Sequence, residues 1–365
     1  MPAIAVADAL RAEGAEVSFL GTRERAEAEL VPAAGYEIDY LRVSGLDRRN
    51  PLKAAIAAMR AGRAVGAARR LLSARRADVL MGGGGYVAGP AGLAAVRMGL
   101  PLVLTEADSH LGLANRLLAR RARRVCLAFP IRGRDSDPYV VTGRPVPRAV
   151  LEADPTVARR RFGIPGPADC VTIIGGSLGA RSINLAAFDA YTRLERGIPH
   201  DHVGEPWIVH VVGRRDYPDL RQRWDRQGSP QRYTLLQYEP NLGDVLAAAD
   251  LVVARAGGSV MEIAAAGRPA ILIPYPHATG DHQTANARWM ADGGAAVVIP
   301  DGELTAARLS TAIADLLSDE DRLRSMSIAA RRLAKPDAAE RIAREILRAS
   351  EVRGDSAGEA EESPV

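Results

Sequence analysis

The stretch that decides the fold is V-T-I-I-G-G-S-L-G-A-R-S-I-N, Val171–Asn184. A short run of β-branched residues meets a Gly-Gly-Ser turn and then a segment that can be helical, which predicts a strand, a glycine loop and a helix. Gly175 and Gly176 let the backbone approach a ligand, and Ser177 offers a hydroxyl. The helix directs free N–H groups and its positive dipole end to the same point. The junction predicts a phosphate or pyrophosphate site, with a ligand-free βα turn as the alternative.

Two more glycine loops follow predicted strands. G-G-G-G-Y at Gly82–Tyr86 comes after a strand at Asp78–Met81, and R-A-G-G-S-V-M-E at Arg255–Glu262 comes after a strand at Asp250–Arg255. The glycine spacing at Gly175–Ser177 is neither that of the dinucleotide fingerprint nor that of the ATP phosphate loop, which disfavours nicotinamide and ATP as ligands. Three loops at strand ends predict a phosphorylated ligand, most economically a nucleotide.

The composition is that of a soluble globular protein, with 365 residues, 47% hydrophobic and 25% charged. This length suits two domains. No apolar run approaches the roughly 20 residues that a membrane span needs, and no signal peptide is visible, so we expect a cytoplasmic protein. Cys126 and Cys170 stand in apolar surroundings without a Cys or His cluster, which predicts reduced core residues and neither a disulfide nor zinc.

The formal charge is +4 and nearly all positive residues are arginine. Arginine favours phosphates and carboxylates, which fits an anionic partner. Aromatic residues make up only 4% of the chain, too few for base stacking, so we expect no nucleic-acid partner.

Strands and helices alternate in both halves, which predicts an α/β protein with two doubly wound, Rossmann-like parallel-sheet domains facing a cleft. Prolines and charges at Pro155–Pro167 predict the boundary, giving domains 1–154 and 155–335. An acidic end, 354–365, is predicted to be a disordered tail.

A long Ala- and Arg-rich segment, Gly45–Arg76, is predicted to form an amphipathic helix. It could lie on an anionic membrane face, or it could pack on a sheet with its basic face in solvent. The residues that would supply its basic surface are Arg48, Arg49, Lys53, Arg60, Arg63, Arg69 and Arg70.

Candidate polar residues gather after other strands. Glu262 could accept hydrogen bonds from ribose hydroxyls, or it could close an S-x-x-E capping box with Ser259. Glu106 and Asp108 could serve acid–base chemistry, or they could be merely solvated. A further polar cluster lacks metal-ligand spacing, so we expect no metal there. Its members are His277, Asp281, His282, Gln283 and Asn286.

Several motifs in one order resemble the MurG-type glycosyltransferase family from Pro2 to about Ala349. They are P-A-I-A-V-A-D-A-L at Pro2, S-G-L at Ser44, G-G-Y-V-A-G-P at Gly84, G-L-A-N-R at Gly112, G-G-S-L-G-A-R-S-I-N at Gly175, E-I-A-A-A-G-R-P at Glu262, D-H-Q-T-A-N-A at Asp281 and P-D-A-A-E-R-I-A at Pro336. The resemblance implies a GT-B fold with an acceptor domain first and a UDP-sugar domain second, and a last helix, about 336–350, that packs back on the first domain.

The same resemblance implies an inverting hexosyltransferase of peptidoglycan synthesis. It would move N-acetylglucosamine from UDP-N-acetylglucosamine to lipid I, giving lipid II at the cytoplasmic face of the cell membrane. The enzyme would be a peripheral membrane protein without an essential metal or other cofactor. Its partners would be the two substrates, the anionic inner membrane surface and other cell-wall synthesis proteins.

Site residues carry over motif by motif. The implied donor-binding residues are Gly176, Ser177, Gly257, Gly258, Ser259, Val260, Glu262, Gln283 and Asn286, with an arginine that is either Arg144 or Arg148. The implied acceptor-side residues are Gly84, Gly85, Tyr86 and Asn115. Ser177 would contact the pyrophosphate, Glu262 the ribose, and Gln283 with Asn286 the sugar hydroxyls.

Some positions depart from the family pattern. Family members begin with a strand and a G-G-T-G-G-H loop whose histidine is a catalytic candidate, whereas this chain begins at Met1-Pro2. We therefore expect the first strand of the N-terminal domain to be missing, a gap in its sheet, and a misplaced start. Asp108 replaces an asparagine and becomes the candidate base, and Glu239 stands where a small apolar residue often meets uracil.

Two other functions fit the same residues. One is a GT-B transferase with another lipid or natural-product acceptor. The other is a non-catalytic protein that holds a UDP-sugar or the precursor lipid. The absence of the family's G-G-T-G-G-H loop would favour this second function.

Overall fold

The structure is a computed structural model that describes residues 2–43, 51–176, 180–192, 205–228 and 230–358. Its strands are β1 Ser18–Gly21, β2 Glu37–Tyr40, β3 Leu80–Gly82, β4 Leu102–Glu106, β5 Arg124–Leu127, β6 Tyr139–Val141, β7 Cys170–Ile174, β8 Trp207–Val211, β9 Tyr233–Leu236, β10 Leu251–Ala254, β11 Ala270–Leu272 and β12 Ala296–Val298.

The α-helices alternate with these strands along the described chain. They are α1 Pro2–Ala12, α2 Glu27–Ala33, α3 Pro51–Ala74, α4 Gly85–Arg97, α5 Leu113–Leu118, α6 Arg148–Leu151, α7 Pro155–Arg161, α8 Arg181–Tyr191, α9 Tyr217–Arg226, α10 Leu242–Ala248, α11 Ser259–Ala265, α12 His282–Asp292, α13 Ala306–Leu317, α14 Glu320–Leu333 and α15 Ala338–Gly358. The predicted α/β alternation is confirmed in both halves.

The chain divides into two compact units. Unit 1 is Met1–Pro145 with Asp337–Val365, and unit 2 is Val146–Pro336. The boundary therefore falls about ten residues before the predicted one. Pro155 does not mark a linker because it is the first residue of α7, where a missing N–H costs nothing. The Asp154 side chain caps that helix by accepting hydrogen bonds from two backbone N–H groups.

Helices α6 and α7 belong to unit 2 because both pack on α10. Arg161 of α7 donates hydrogen bonds of 2.6 Å to Glu239 and to Asp244. At Gly243 a Cβ atom would lie 1.9 Å from the backbone oxygen of Ala149, so only glycine allows α6 and α10 to approach this closely. Glu239, the residue that departs from the family pattern, is thereby held by Arg161.

Unit 1 contains two separate parallel sheets, one with the order β1-β2 and one with the order β3-β4-β5-β6. Helices α1 and α15 pack together on the second sheet through Val6, Leu10, Ile342 and Ile346. Helix α15 runs to Gly358, so the first residues of the predicted disordered tail are helical. The rest of the predicted tail, residues 359–365, lies outside the described residues. The absence of the family's first strand from the N-terminal domain stays a prediction.

The Ala- and Arg-rich segment forms α3, which packs on α4 through Val65, Ala68 and Leu72. Arg63, Arg69 and Arg70 are exposed on α3. The other four residues of the predicted basic surface lie outside the described residues or have side chains outside them. They are Arg48, Arg49, Lys53 and Arg60.

Unit 2 is built on one six-stranded sheet whose order is β9-β8-β7-β10-β11-β12, with every pair parallel. All residues of β7 and β10 are buried, as expected when helices cover both faces of a parallel sheet. Cys170 lies in β7, and Cys126 lies in β5 of unit 1. Both cysteines are free and buried, as predicted.

Candidate functional site

The strand order of unit 2 places a topological switch point between β7 and β10. These strands are direct neighbours, and Ile174 is paired with Ala254. From β7 the chain continues to β8 on one side, and from β10 it continues to β11 on the other. Ligands of open α/β sheets bind in the crevice beyond the carboxyl ends of such strands. Two of the three predicted glycine loops begin at this crevice.

The first loop begins at Gly175 and Gly176. Gly176 has a φ of +76°, a conformation that other residues rarely adopt. At Gly175 a Cβ atom would lie 2.8 Å from the backbone oxygen of Val212 and 2.9 Å from Oδ1 of Asn184. Both glycines are therefore required by the backbone itself. The third predicted residue of this loop, Ser177, lies outside the described residues.

The second loop begins at Arg255, whose guanidinium is engaged within the protein. Its Nη1 donates to Oδ1 of Asp301 at 2.6 Å and its Nη2 donates to Oγ of Ser182 at 2.8 Å. The guanidinium also lies over the ring of Tyr275. Arg255 therefore ties the end of β10 to α8 and to the segment before α13. Sequence reasoning missed this role because its partners are 46 and 73 residues away.

Helix α11 follows the second loop and begins at Ser259, with Gly258 as its N-cap and no side-chain capping bond. A capping box places the serine at the N-cap position, which in this structure is Gly258. Glu262 lies in the first turn of α11 and is half-buried. Its role toward ribose stays a prediction.

Helix α12 brings Gln283 and Asn286 to the second loop. A Cβ atom at Gly257 would lie 3.9 Å from Nε2 of Gln283, while Oε1 of Gln283 accepts a hydrogen bond from the Tyr275 N–H. Asn286 is fully buried and its Nδ2 donates to the backbone oxygen of Ala256 at 3.1 Å. In this structure the Asn286 side chain holds the loop, and its role toward the sugar hydroxyls stays a prediction.

Arg148 is the first residue of α6, and its side chain is 88% exposed. Because α6 contacts α10 and α11, Arg148 belongs to the same unit as the two loops. Arg144 belongs to unit 1. The division into units therefore favours Arg148 for the family arginine.

The third glycine loop lies in unit 1 after β3. Gly84 and Gly85 have φ values of +79° and +75°, and α4 begins at Gly85. The side chain of Tyr86 is exposed, with the Arg25 guanidinium 5.0 Å from its ring centre. Glycine is therefore required at the start of this loop, and Tyr86 is accessible to a ligand.

The end of β4 is organised by Glu106. Its buried carboxylate accepts hydrogen bonds from the Gly112 N–H at 2.8 Å, from Nδ2 of Asn115 at 2.9 Å and from the Asp108 N–H at 3.3 Å. Asn115 is only 1% exposed and positions this turn, and its acceptor-side role stays a prediction. Asp108 is half-buried on the turn. Of the predicted carboxylate pair, Asp108 is the more accessible member.

Among the side chains that the structure describes, no group of three or more His, Cys, Asp or Glu residues is arranged to hold a metal ion. Among the described helices, none is long and apolar enough to cross a membrane.

Two parallel-sheet units, with glycine loops at the ends of adjacent strands, are the architecture of the GT-B fold. Several solved structures share the fold. The chain matches an Acinetobacter baumannii MurG structure with a TM-score of 0.75 and 30% identity, covering 95% of each chain. It matches the calicheamicin glycosyltransferase CalG4 with a TM-score of 0.60 and 16% identity, covering 98% of this chain and 94% of that one.

The chain belongs to glycosyltransferase family 28. The family's N-terminal domain matches residues 1–127 and its C-terminal domain matches residues 170–342. Two curated relatives carry the name UDP-N-acetylglucosamine--N-acetylmuramyl-(pentapeptide) pyrophosphoryl-undecaprenol N-acetylglucosamine transferase. The Salinibacter ruber protein is 40% identical over 353 residues, 95% of this chain and 92% of the relative. The Moorella thermoacetica protein is 40% identical over 360 residues, 96% of this chain and 95% of the relative.

Proposed function

We propose that this protein transfers N-acetylglucosamine from UDP-N-acetylglucosamine to lipid I, forming lipid II with inversion at the sugar carbon. The observation that carries the proposal is the pair of glycine loops at the β7/β10 switch point. The chain around them is 40% identical over 353 residues to a transferase whose name states this donor and this kind of acceptor.

The reaction exchanges one bond at the anomeric carbon of the donor. The 4-hydroxyl oxygen of the muramoyl group forms a bond to C1 of N-acetylglucosamine, and the bond from C1 to the β-phosphate oxygen breaks. UDP leaves with the electron pair, and the hydroxyl proton passes to a base. The developing negative charge on UDP requires oriented N–H donors, which glycine loops at strand ends can provide without a metal.

Unit 2 supplies the donor side of this scheme. Gly176 and Ser177 would contact the pyrophosphate, and Gly257–Val260 the α-phosphate or sugar. Glu262 would accept hydrogen bonds from the ribose. Gln283 beside Gly257 would contact the sugar hydroxyls.

The remaining unit 2 residues act at the edge of the donor site. Asn286 would hold the second loop through its hydrogen bond to the Ala256 oxygen. Arg148 would bring positive charge to the donor, which its exposure on α6 permits.

Unit 1 supplies the acceptor side. Gly84–Gly89 would face the acceptor, and Tyr86 is open to it. Asp108 would accept the proton, because the Glu106 carboxylate beside it is already occupied by hydrogen bonds from the turn. Asn115 would keep that turn in place.

The protein would act as a peripheral enzyme on the cytoplasmic face of the membrane, where its lipid acceptor resides. Arg63, Arg69 and Arg70 are exposed on α3, and arginines near an anionic surface contribute about 1 kcal/mol each to binding. Contacts with other cell-wall synthesis proteins would form on the same surface of the membrane.

The test is transfer of labelled N-acetylglucosamine from its UDP donor to a lipid I analogue, with UDP binding measured in parallel by calorimetry. We expect transfer, and we expect Glu262→Gln to raise KM for the donor about tenfold because one ribose hydrogen bond weakens. Glu303→Gln, an exposed acidic residue of the same unit, is the control. Tight UDP binding without transfer to lipid I, but with transfer to another lipid, would assign a different acceptor. The absence of both binding and transfer would refute the proposal.

A further inference from the structure

Beneath the first glycine loop lies a row of buried polar side chains that the proposed reaction does not use. Tyr233, His210, Asn184 and Asp216 are between 0% and 3% exposed. The Tyr233 hydroxyl lies 2.6 Å from Nδ1 of His210, and Nε2 of His210 lies 3.0 Å from Oδ1 of Asn184. Nδ2 of Asn184 donates to Oδ2 of Asp216 at 2.9 Å. The row thus crosses the unit 2 sheet from β9 through β8 to α8 and the start of α9.

The partners determine where every proton in this row lies. Nδ2 of Asn184 faces the backbone oxygen of Val212 and the carboxylate of Asp216, which both only accept, so the amide has one possible orientation. Oδ1 of Asn184 then faces His210, whose Nε2 must carry the proton. Nδ1 of His210 is left to accept from the Tyr233 hydroxyl. Each polar atom of the two central side chains is paired in this single arrangement.

Asp216 anchors the row as a carboxylate. The hydrogen bond from the Arg215 guanidinium holds the pKa of Asp216 below its ordinary value. An ionised Asp216 accepts strongly from Asn184. The orientation of the Asn184 amide is therefore set from outside the core, at the surface arginine.

Asn184 is also where the row contacts the glycine loop. A Cβ atom at Gly175 would lie 2.9 Å from Oδ1 of Asn184 and 2.8 Å from the backbone oxygen of Val212. Nδ2 of Asn184 donates a hydrogen bond to that Val212 oxygen. The Gly175 N–H in turn donates to the backbone oxygen of Val211 at 3.0 Å. One amide side chain therefore fixes α8, the end of β8 and the start of the loop relative to one another.

We propose that Asn184 and His210 are positioning residues that set Gly175 and Gly176, where the first glycine loop begins, and the start of α8 for the donor pyrophosphate. The inference rests on the proposed function of this loop. Oriented N–H donors bind the pyrophosphate tightly only if they are held in place beforehand, because ordering them on binding costs free energy. A fully paired buried row has one geometry, whereas an apolar core of the same volume could shift.

The first test is Asn184→Asp, which keeps the shape of the side chain but replaces the Nδ2 donor with an oxygen. That oxygen would face two other acceptors, the Val212 backbone oxygen and the Asp216 carboxylate. We expect KM for UDP-N-acetylglucosamine to rise, and UDP affinity to fall, by about tenfold, while kcat changes less than about threefold. Adding Asp216→Asn returns a donor to the pair. We expect the double variant to recover to within about threefold of Asp216→Asn alone.

The matched control is Thr192→Val at the other end of α8. Thr192 is equally buried and its hydroxyl donates to the Phe188 oxygen at 2.6 Å, far along the helix from the loop. This variant should lower the melting temperature without moving KM or UDP affinity. The inference is overturned if Asn184→Asp behaves in the same way, with loss of stability alone.

His210 provides a second route if Asn184→Asp does not fold. His210→Gln keeps an N–H donor toward Asn184, whereas His210→Leu removes it. We expect His210→Leu to raise donor KM about tenfold and His210→Gln to restore it to within about threefold of the unchanged protein. Equal KM values for both variants would overturn the inference while leaving the proposed function intact. An unchanged protein that binds no UDP would refute the proposed function instead.

Discussion

Nη1 of Arg255 donates a hydrogen bond of 2.6 Å to Oδ1 of Asp301, and the two side chains are 15% and 22% exposed. Ser182 donates to the same carboxylate oxygen at 2.6 Å and accepts from Nη2 of Arg255. Three segments that are distant in the chain are thus joined beside the switch point. The second glycine loop owes its position to this group of residues.

Asp301→Asn should weaken that group. Charge-assisted hydrogen bonds contribute about 1.5–3 kcal/mol each, so we expect the free energy of unfolding to fall by about 2 kcal/mol. Urea unfolding provides the measurement. Glu303→Gln in the neighbouring exposed pair with Arg308 should change it by less than about 0.5 kcal/mol. Similar losses in both variants would contradict a special role for Asp301.

The buried His210 should make stability depend on pH. Burial lowers the pKa of His210 to about 3, whereas an unfolded histidine titrates near 6.5. Folding therefore favours the neutral form, and its contribution is complete above pH 6.5 and declines as the pH falls. Between pH 7 and pH 5 we expect this group alone to remove about 2 kcal/mol from the free energy of unfolding.

The comparison protein for this pH series is His210→Gln, which has no titrating group at this position. Between pH 7 and pH 5 the free energy of unfolding should decrease in both proteins. The decrease should be about 2 kcal/mol smaller in His210→Gln than in the unchanged protein. Parallel curves for the two proteins would show that His210 is not held neutral.

Gly243→Ala should disrupt the packing of α6 on α10. The added Cβ would lie 1.9 Å from the Ala149 backbone oxygen, and backbone cannot move aside as a flexible side chain can. We expect a loss of about 3 kcal/mol or more in the free energy of unfolding. Gly62→Ala in α3 meets no atom within 4 Å and should be neutral or stabilise by about 0.5–1 kcal/mol.

Charge reversal on α3 should weaken membrane binding. We expect Arg63→Glu, Arg69→Glu and Arg70→Glu together to reduce affinity for vesicles containing anionic phospholipid by about 100-fold or more, from about 1 kcal/mol per arginine lost. Vesicle sedimentation measures this directly. The control reverses three exposed arginines of α14, namely Arg322, Arg324 and Arg332, and makes the same change in net charge. Equal losses would place the membrane-binding surface elsewhere.

Much of the fold could be predicted from local patterns. The β-branched run at Val171–Ile174 and the glycines after it predict a strand and a tight turn, because both depend on neighbouring residues. The same reasoning failed at Pro155, because a proline in a linker and a proline at the first position of a helix have the same local sequence.

The candidate site could be predicted only in part, for a related reason. A capping box at Ser259 and an exposed sugar contact at Asn286 are each reasonable in sequence. The structure gives Gly258, not Ser259, as the N-cap of α11, and it buries Asn286 against the Ala256 oxygen, so the role of Asn286 toward the sugar stays a prediction. A signal for His210 existed, since it lies within an apolar strand, but nothing in the sequence names its partners.

The sequence by itself determined the class of fold and the loops at strand ends, since these follow from residue preferences over short distances. Only the tertiary structure decided which side chains meet at the switch point. His210 faces Asn184 and Arg255 faces Asp301 because the strand order and register of the unit 2 sheet bring distant segments together. Buried polar groups must be paired, but sequence spacing does not identify the partner.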